Sequence, residues 1–176
     1  NHEMGYIFED LLRRFSEMSN ETAGEHYTPR EVIRLMVSLL LAEHKEDLQG
    51  KGIIRSVYDP ACGTGGMLIT AKDYMQKEIN PDLEVVMYGQ ELNEQTYAIA
   101  KSDVLIMGEN AENIRHGNSF TEDKFKNQKF SFMLSNPPFG VSWKKDKDAI
   151  KKEEKDPHGR FHASWGGCSL VDTSLS

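Results

Sequence analysis

The sequence predicts an α/β fold in which a parallel sheet is flanked by helices on both faces. Short apolar, β-branched runs alternate with stretches of helical periodicity, and a glycine-rich loop separates the first such run from the helix that follows. A chain of 176 residues accommodates one domain of this kind with a helical lead-in. We therefore predict a lead-in over residues 1–45, a sheet domain over 46–162 and an atypical tail over 163–176.

Two helices are predicted ahead of the sheet. Residues 4–18 place apolar side chains at helical spacing, which indicates an amphipathic packing helix. The second helix is predicted to begin with Thr28 as N-cap, Pro29 at the first helical position and Glu31 completing a capping box. Its apolar positions extend it to about His44.

The alternating part of the chain follows. Strands are predicted over 53–58, 83–89 and 130–135, a short third strand is predicted within 114–120, and helices are predicted over 66–77 and 93–107. The mixed-charge stretch 144–155 is interpreted as a solvated loop or helix face.

Composition limits the class of protein. No run approaches the roughly 18 apolar residues of a membrane span, and no signal-peptide pattern is present, so we expect a cytoplasmic protein without a membrane partner. Cys62 and Cys168 form no spaced set, which argues against disulfides and a metal site. The net charge of −7 is unlike that of proteins that hold DNA unaided, so work on DNA would require a basic partner or a missing segment.

A glycine-rich loop follows the first strand, and its residues are Asp59, Pro60, Ala61, Cys62, Gly63, Thr64, Gly65 and Gly66. It is not a P-loop, because no Gly-Lys-Ser/Thr follows, and the third glycine of a dinucleotide fingerprint falls on Leu68. The remaining ligand class is amino acid-like, with a carboxylate for the loop amides and an ammonium near Asp59; S-adenosylmethionine is such a ligand. The alternative is a tight turn without a ligand.

Glu91 ends the next strand, where nucleotide-binding folds place an acid that accepts both ribose hydroxyls. A glutamate at a strand end is more often simply solvated. Together with the glycine loop, however, Glu91 favours a cofactor site.

The last predicted strand leads into a turn of Asn136, Pro137, Pro138 and Phe139. An amino group on a base is a poor nucleophile, because its lone pair is delocalised into the ring. An asparagine oxygen and the Pro137 carbonyl can accept hydrogen bonds from its two N–H groups. Phe139 can stack on a base that has been removed from its base stack. This pattern predicts methyl transfer to an exocyclic amino group. The alternative is a rigid turn with Phe139 in the core.

Methylation of a base carbon requires a cysteine nucleophile. No Pro-Cys pair occurs in the equivalent place, and Cys62 lies in the glycine loop instead. Carbon methylation is therefore disfavoured.

Four segments, 24–32, 59–68, 89–91 and 136–140, resemble in sequence and order the modification (M) subunit of type I restriction-modification systems. The resemblance implies a Rossmann-like S-adenosylmethionine-dependent fold, truncated after about four strands, and N6-adenine methylation of DNA. It implies that Asn136 to Phe139 are catalytic and that 61–66 and Glu91 bind the cofactor. It also implies a motif against the methionine part of the cofactor, formed by Glu25, His26, Tyr27, Thr28, Pro29 and Arg30. Asn118 stands where the family often has an aspartate near the cofactor adenine.

The family also implies partners, namely DNA, a specificity (S) subunit that reads the target and, in some systems, a restriction (R) subunit. The sequence after Phe161 departs from the family pattern, and we expect a truncated or frame-shifted reading there. Other amino methyltransferases, acting on RNA guanine or protein glutamine, use similar Asn-Pro-Pro-aromatic turns and remain alternatives. So does a fragment that binds the cofactor without catalysis.

Overall fold

The computed structural model describes residues 28–138, 142, 144–157 and 159–161. The helix predicted over 4–18, the atypical tail, and the site residues Glu25, His26, Tyr27 and Phe139 lie outside the described residues.

The first described helix, α1, spans Arg30–Leu40. Its N-cap is Pro29, with φ −55° and ψ 141°, so the prediction of Thr28 as N-cap and Pro29 as first helical residue was wrong by one position. The Thr28 hydroxyl accepts a hydrogen bond from a distant side chain, Asn136, and this contact replaces a local cap. α1 also ends earlier than predicted, because the chain turns after Leu40 into a short 3-10 segment, Glu46–Leu48.

Four described strands form one parallel sheet in the order β3-β2-β1-β4, which confirms the predicted class. Their bounds are Ile54–Asp59 for β1, Glu84–Glu91 for β2, Ile114–His116 for β3 and Phe132–Met133 for β4. The third strand is short and lies within the predicted range 114–120, whereas the fourth strand is shorter than predicted. Beyond β4, the Leu134 amide still donates to the Tyr58 carbonyl at 3.0 Å, so the chain stays beside β1 up to the turn.

Helices connect the strands. α2 spans Gly66–Tyr74 and continues as a π-helical turn, Met75–Ile79. α3 spans Glu94–Ile106, and the Asn93 side chain caps it by accepting from the amides of Gln95 and Thr96. The stretch expected to be solvated contains a 3-10 turn, Lys144–Asp146, and a helix α4, Lys147–Glu154. No helix within the described ranges has the length and apolar character of a membrane span.

One face of the sheet forms the main core. In the register of β1 and β2, Val57 is opposite Met87, and both are buried with Val85. Leu68 and Ala71 of α2 belong to the same cluster, and α1 packs against α2. Burial of these apolar side chains is the main force that stabilises the sheet.

The opposite face is covered differently from the prediction. Tyr58 and Tyr88 are opposite each other in the register and so point to the same side. Phe130 stacks on Tyr58 with ring centroids 4.4 Å apart, and Phe125 makes edge contacts with both tyrosines. The loop between β3 and β4 thus supplies an aromatic layer where the sequence pattern had predicted helices.

Candidate functional site

The predicted site residues converge at one edge of the sheet. Asp59 ends β1, Glu91 ends β2, and Asn136 follows β4. Because these strands are parallel, their carboxyl ends meet at the same edge, which is where ligands bind in open α/β sheets.

Two glycines shape the loop between β1 and α2. Gly63 has φ +56° and Gly65 φ +85°, a left-handed conformation that favours glycine. Gly65 is the N-cap of α2, so the first amides of that helix face the edge without intrahelical partners. A side chain added at Gly63 would meet nothing within 4 Å, and the loop therefore has an open side that a ligand can approach closely. Ala61, Thr64 and Gly66 are half-buried in the same loop.

Glu91 connects the loop to the end of β2. Its Oε2 accepts from the Gly63 amide at 2.9 Å, and its Oε1 accepts from the Asn93 amide at 2.8 Å. A carboxylate has about four acceptor positions, so these two bonds orient Glu91 and leave capacity for ligand hydroxyls. This geometry fits the predicted role of Glu91 as the acid that accepts ribose hydroxyls.

Asp59 lies inside the loop and is only 1% exposed. Burial raises its pKa to about 7, the nearby charge of Glu91 adds to the rise, and hydrogen bonds from the Ala61 amide and the Ser135 side chain oppose it. Asp59 thereby contacts both the glycine loop and the residue that precedes Asn136. Asp59 thus links the glycine loop to the turn that contains Asn136. The sequence does not predict this link, because Ser135 belongs to no recognisable motif.

Cys62 is a buried packing residue. Its amide donates to the Gln90 carbonyl at 3.0 Å, and burial raises the pKa of its thiol well above the usual value. A Cβ on Gly89 would lie 2.8 Å from the Cys62 sulfur, so only glycine fits there. A protonated thiol in this position is a poor nucleophile.

The loop after β3 closes over the glycine loop. The Ser119 hydroxyl donates to the Pro60 carbonyl. Asn118 accepts from the Phe120 amide at 2.9 Å through Oδ1 and donates to Asp146 at 3.2 Å through Nδ2. Asn118 therefore organises its own loop, and its predicted contact with a cofactor adenine stays a prediction.

The turn after β4 presents Asn136 half-buried and Pro137 and Pro138 exposed. The Asn136 side-chain nitrogen donates to Thr28 Oγ1 at 2.8 Å. The structure thus brings together Thr28 of the N-terminal motif and the predicted catalytic turn. Pro29 and Arg30 follow directly, exposed and half-buried respectively.

Arg160 is a further residue that sequence reasoning missed. Its guanidinium makes two bonds of 2.7 Å to Glu153 and donates to the Ser119 carbonyl at 2.6 Å. The segment after α4 is thereby attached to the loop that carries Asn118. A lone arginine in a mixed-charge stretch gives no sequence signal for such a role.

The parallel sheet, the open glycine loop and the acid at the end of β2 define a Rossmann-like domain of the S-adenosylmethionine-dependent methyltransferase fold. Residues 1–165 match the family model for N-6 DNA methylases, and the chain belongs to that family.

Relatives and a solved structure agree with this assignment. The chain is 33% identical to a type I restriction enzyme methylase subunit (MjaIX) of Methanocaldococcus jannaschii, over 89% of this chain and 26% of the relative. It is 32% identical to the EcoEI methylase subunit of Escherichia coli, over 86% of this chain and 30% of the relative. A crystal structure of a type I restriction-modification methyltransferase subunit from Streptococcus thermophilus superposes with a TM-score of 0.64 at 29% identity, covering 85% of this chain and 30% of that chain. The chain thus spans less than a third of the length of each of these proteins.

Proposed function

We propose that this chain is the cofactor-binding and catalytic part of a DNA methyltransferase that transfers a methyl group from S-adenosylmethionine to the N6 amino group of adenine. The observation that carries the proposal is the position of Asn136. It follows β4 at the same sheet edge as the glycine loop and Glu91, and Thr28 holds its side chain.

The loop residues fit the cofactor. The open side at Gly63 and the first amides of α2 suit a carboxylate. Asp59, when ionised, favours an ammonium group nearby, and Glu91 suits ribose hydroxyls. When bound there, S-adenosylmethionine supplies an electrophilic methyl group on a sulfonium.

Asn136 and Pro137 act on the acceptor. Asn136 Oδ1 and the Pro137 carbonyl accept the two N–H bonds of the adenine amino group, which localises its lone pair toward the methyl. These two acceptors would hold the amino nitrogen in line with the methyl carbon that the bound cofactor would supply, and the nitrogen would release one proton to solvent as it is methylated. The exposed prolines hold the carbonyl in a fixed direction without donating hydrogen bonds themselves.

The same proposal includes the partners of the chain. These are DNA as the substrate, a specificity subunit that reads the DNA sequence and, in some systems, a restriction subunit. They are supported by the relatives, which are methylase subunits of type I restriction enzymes, and by the net charge of −7, which leaves phosphate contacts to a partner. A protein with this function would work in the cytoplasm, where its DNA substrate is. RNA guanine and protein glutamine are the competing acceptors.

The decisive experiment compares methyl transfer from labelled cofactor to DNA, RNA and protein by the complete subunit assembled with its specificity partner. We expect label in DNA, recovered as N6-methyladenine. We expect Asn136→Ala to lower the transfer rate at least about 100-fold and to change the cofactor Kd less than about threefold, since Asn136 acts on the acceptor.

A matched control is Asn113→Ala, the same substitution at the amino end of β3, and it should transfer at the wild-type rate. Label found only in RNA or protein would contradict the choice of DNA. Methyl transfer retained in Asn136→Ala would show that Asn136 does not have the proposed role. A wild-type protein that binds the cofactor but transfers no methyl group would favour the alternative of a domain without catalytic activity.

A further inference from the structure

One hydrogen bond joins two distant parts of the described chain at the site. Asn136 Nδ2 donates to Thr28 Oγ1 at 2.8 Å, and the two residues are 108 positions apart. Both residues are half-buried. The hydroxyl is the only polar group of the threonine side chain, and here it contacts the side chain on which the proposed chemistry depends.

Thr28 is held rigidly on its own side. The residue before a proline is restricted to extended conformations, and Pro29 directly precedes α1. α1 is anchored by the buried side chains of Ile33 and Val37, and the Ile33 amide donates to the Pro29 carbonyl at 3.1 Å. The hydroxyl therefore projects from a fixed helix start.

Asn136 is less constrained by its own segment. β4 has only two residues, and its ladder with β1 ends where Leu134 donates to Tyr58. The prolines that follow restrict the backbone. They do not restrict rotation of the Asn136 side chain about its own bonds, so a partner for the amide is needed to hold it in one orientation.

We propose that Thr28 is a positioning residue for Asn136, holding its amide so that Oδ1 is presented to the acceptor amino group. In the observed orientation the amide nitrogen is engaged by Thr28, which leaves Oδ1 to accept an N–H bond. This inference rests on the proposed function. It differs from the role implied by family resemblance, in which Thr28 lies in a segment against the cofactor.

The test uses single-turnover methyl transfer at saturating cofactor, in the complete subunit with its specificity partner. Thr28→Val removes the hydroxyl and keeps the shape, whereas Thr28→Ser keeps the hydroxyl. We expect Thr28→Val to lower the transfer rate about 10- to 100-fold, because a small misplacement of a reacting group has a large kinetic cost. Thr28→Ser should stay within about threefold of wild type, and the cofactor Kd should change less than about threefold in both.

Two further variants keep the result interpretable. Thr70→Val makes the same chemical change in α2 and should transfer at the wild-type rate. Thr28→Val added to Asn136→Ala should cause no further loss, because the partner of the hydroxyl is already gone. Thr28→Ala serves as a second deletion of the hydroxyl if the valine variant does not fold.

Several results would overturn the inference. A raised cofactor Kd with a normal rate at saturation would assign Thr28 to the cofactor. A Thr28→Ser rate as low as that of Thr28→Val would show that the hydroxyl is not the important group, and unchanged rates in all variants would deny any role. A wild-type subunit that methylates no DNA would instead contradict the proposed function, so the two failures are distinguishable.

Discussion

At the scale of single residues, Asp59 illustrates how burial and function interact. The carboxyl is almost inaccessible to solvent, and its pKa of about 7 means that it carries a proton through much of the acidic range. Hydrogen bonds from Ala61 and Ser135 oppose this shift by favouring the ionised form. A cationic group bound nearby would act in the same direction, so Asp59 is ready to ionise when the proposed cofactor binds.

Asp59 predicts a pH dependence of stability. Its pKa is raised from 3.8 to about 7 in the folded state, so its stabilising contribution is complete below about pH 4 and is lost as the pH rises through about 7. Asp59→Asn resembles the neutral form and should abolish that loss. The measurement is the free energy of opening of β1, obtained by hydrogen exchange in the complete cofactor-free subunit. Between pH 4 and 7 we expect this free energy to fall in the wild type, relative to the variant, by up to about 1.4 kcal/mol per pH unit. A difference that does not vary with pH would contradict the assignment.

At the scale of elements, the structure depends on contacts between the loops at the carboxyl edge. Arg160 contacts the Glu153 carboxylate through two nitrogens and also the carbonyl of Ser119, and the bonds from Arg160 hold the pKa of Glu153 below its usual value. Asn118 donates to Asp146, just before α4. Arg160 and Asp146, which flank α4, therefore tie this part of the chain to the loop after β3, and that loop in turn contacts the glycine loop at Pro60.

Arg160→Ala should loosen this arrangement. The remaining loop would lose a planar, charged donor that no single ammonium can replace, so Arg160→Lys should be intermediate. We expect faster hydrogen exchange over residues 117–125 and a cofactor affinity lower by roughly 10-fold, in the complete subunit. Unchanged exchange over this loop in Arg160→Ala would show that the contact does not hold the loop in place.

The sequence was informative about some elements and not about others. β1 and β2 with their acidic ends were predictable, because buried parallel strands are continuous apolar runs and the glycine loop marks the start of α2. The aromatic layer of Phe125 and Phe130 was not predictable, because the pairing of Tyr58 with Tyr88 depends on the strand register. The bond between Thr28 and Asn136 was equally inaccessible, since no local pattern specifies a contact over 108 positions.

At the scale of the whole molecule, the negative net charge of the chain does not suit the binding of its proposed substrate, DNA. The chain has 28 acidic and 21 basic residues, while its proposed substrate is a polyanion. Phosphate contacts supply most of the non-specific affinity of DNA-binding proteins. Under the proposed function, the candidate site would therefore need basic surface from outside this sequence in order to hold DNA.

This mismatch predicts a dependence on the partner. We expect the complete subunit alone to bind duplex DNA at least about 10-fold more weakly than its assembly with the specificity subunit at physiological salt, because the partner supplies most of the counterion release. Fluorescence anisotropy at several salt concentrations measures both the affinity and the salt slope. Equal affinities and equal slopes with and without the partner would contradict this division of labour.

The long separation between Thr28 and Asn136 also has a consequence for how the protein matures on the ribosome. β1, β2 and β3 can assemble through neighbouring crossovers once the chain has emerged as far as His116, because each pairs with a strand next to it in sequence. β4 must then enter beside β1, closing a loop of 75 residues between Ser56 and Ser131, before Asn136 can reach Thr28. A nascent chain would acquire its ligand-binding loop first and its reactive amide last, so binding competence would precede catalytic competence during synthesis.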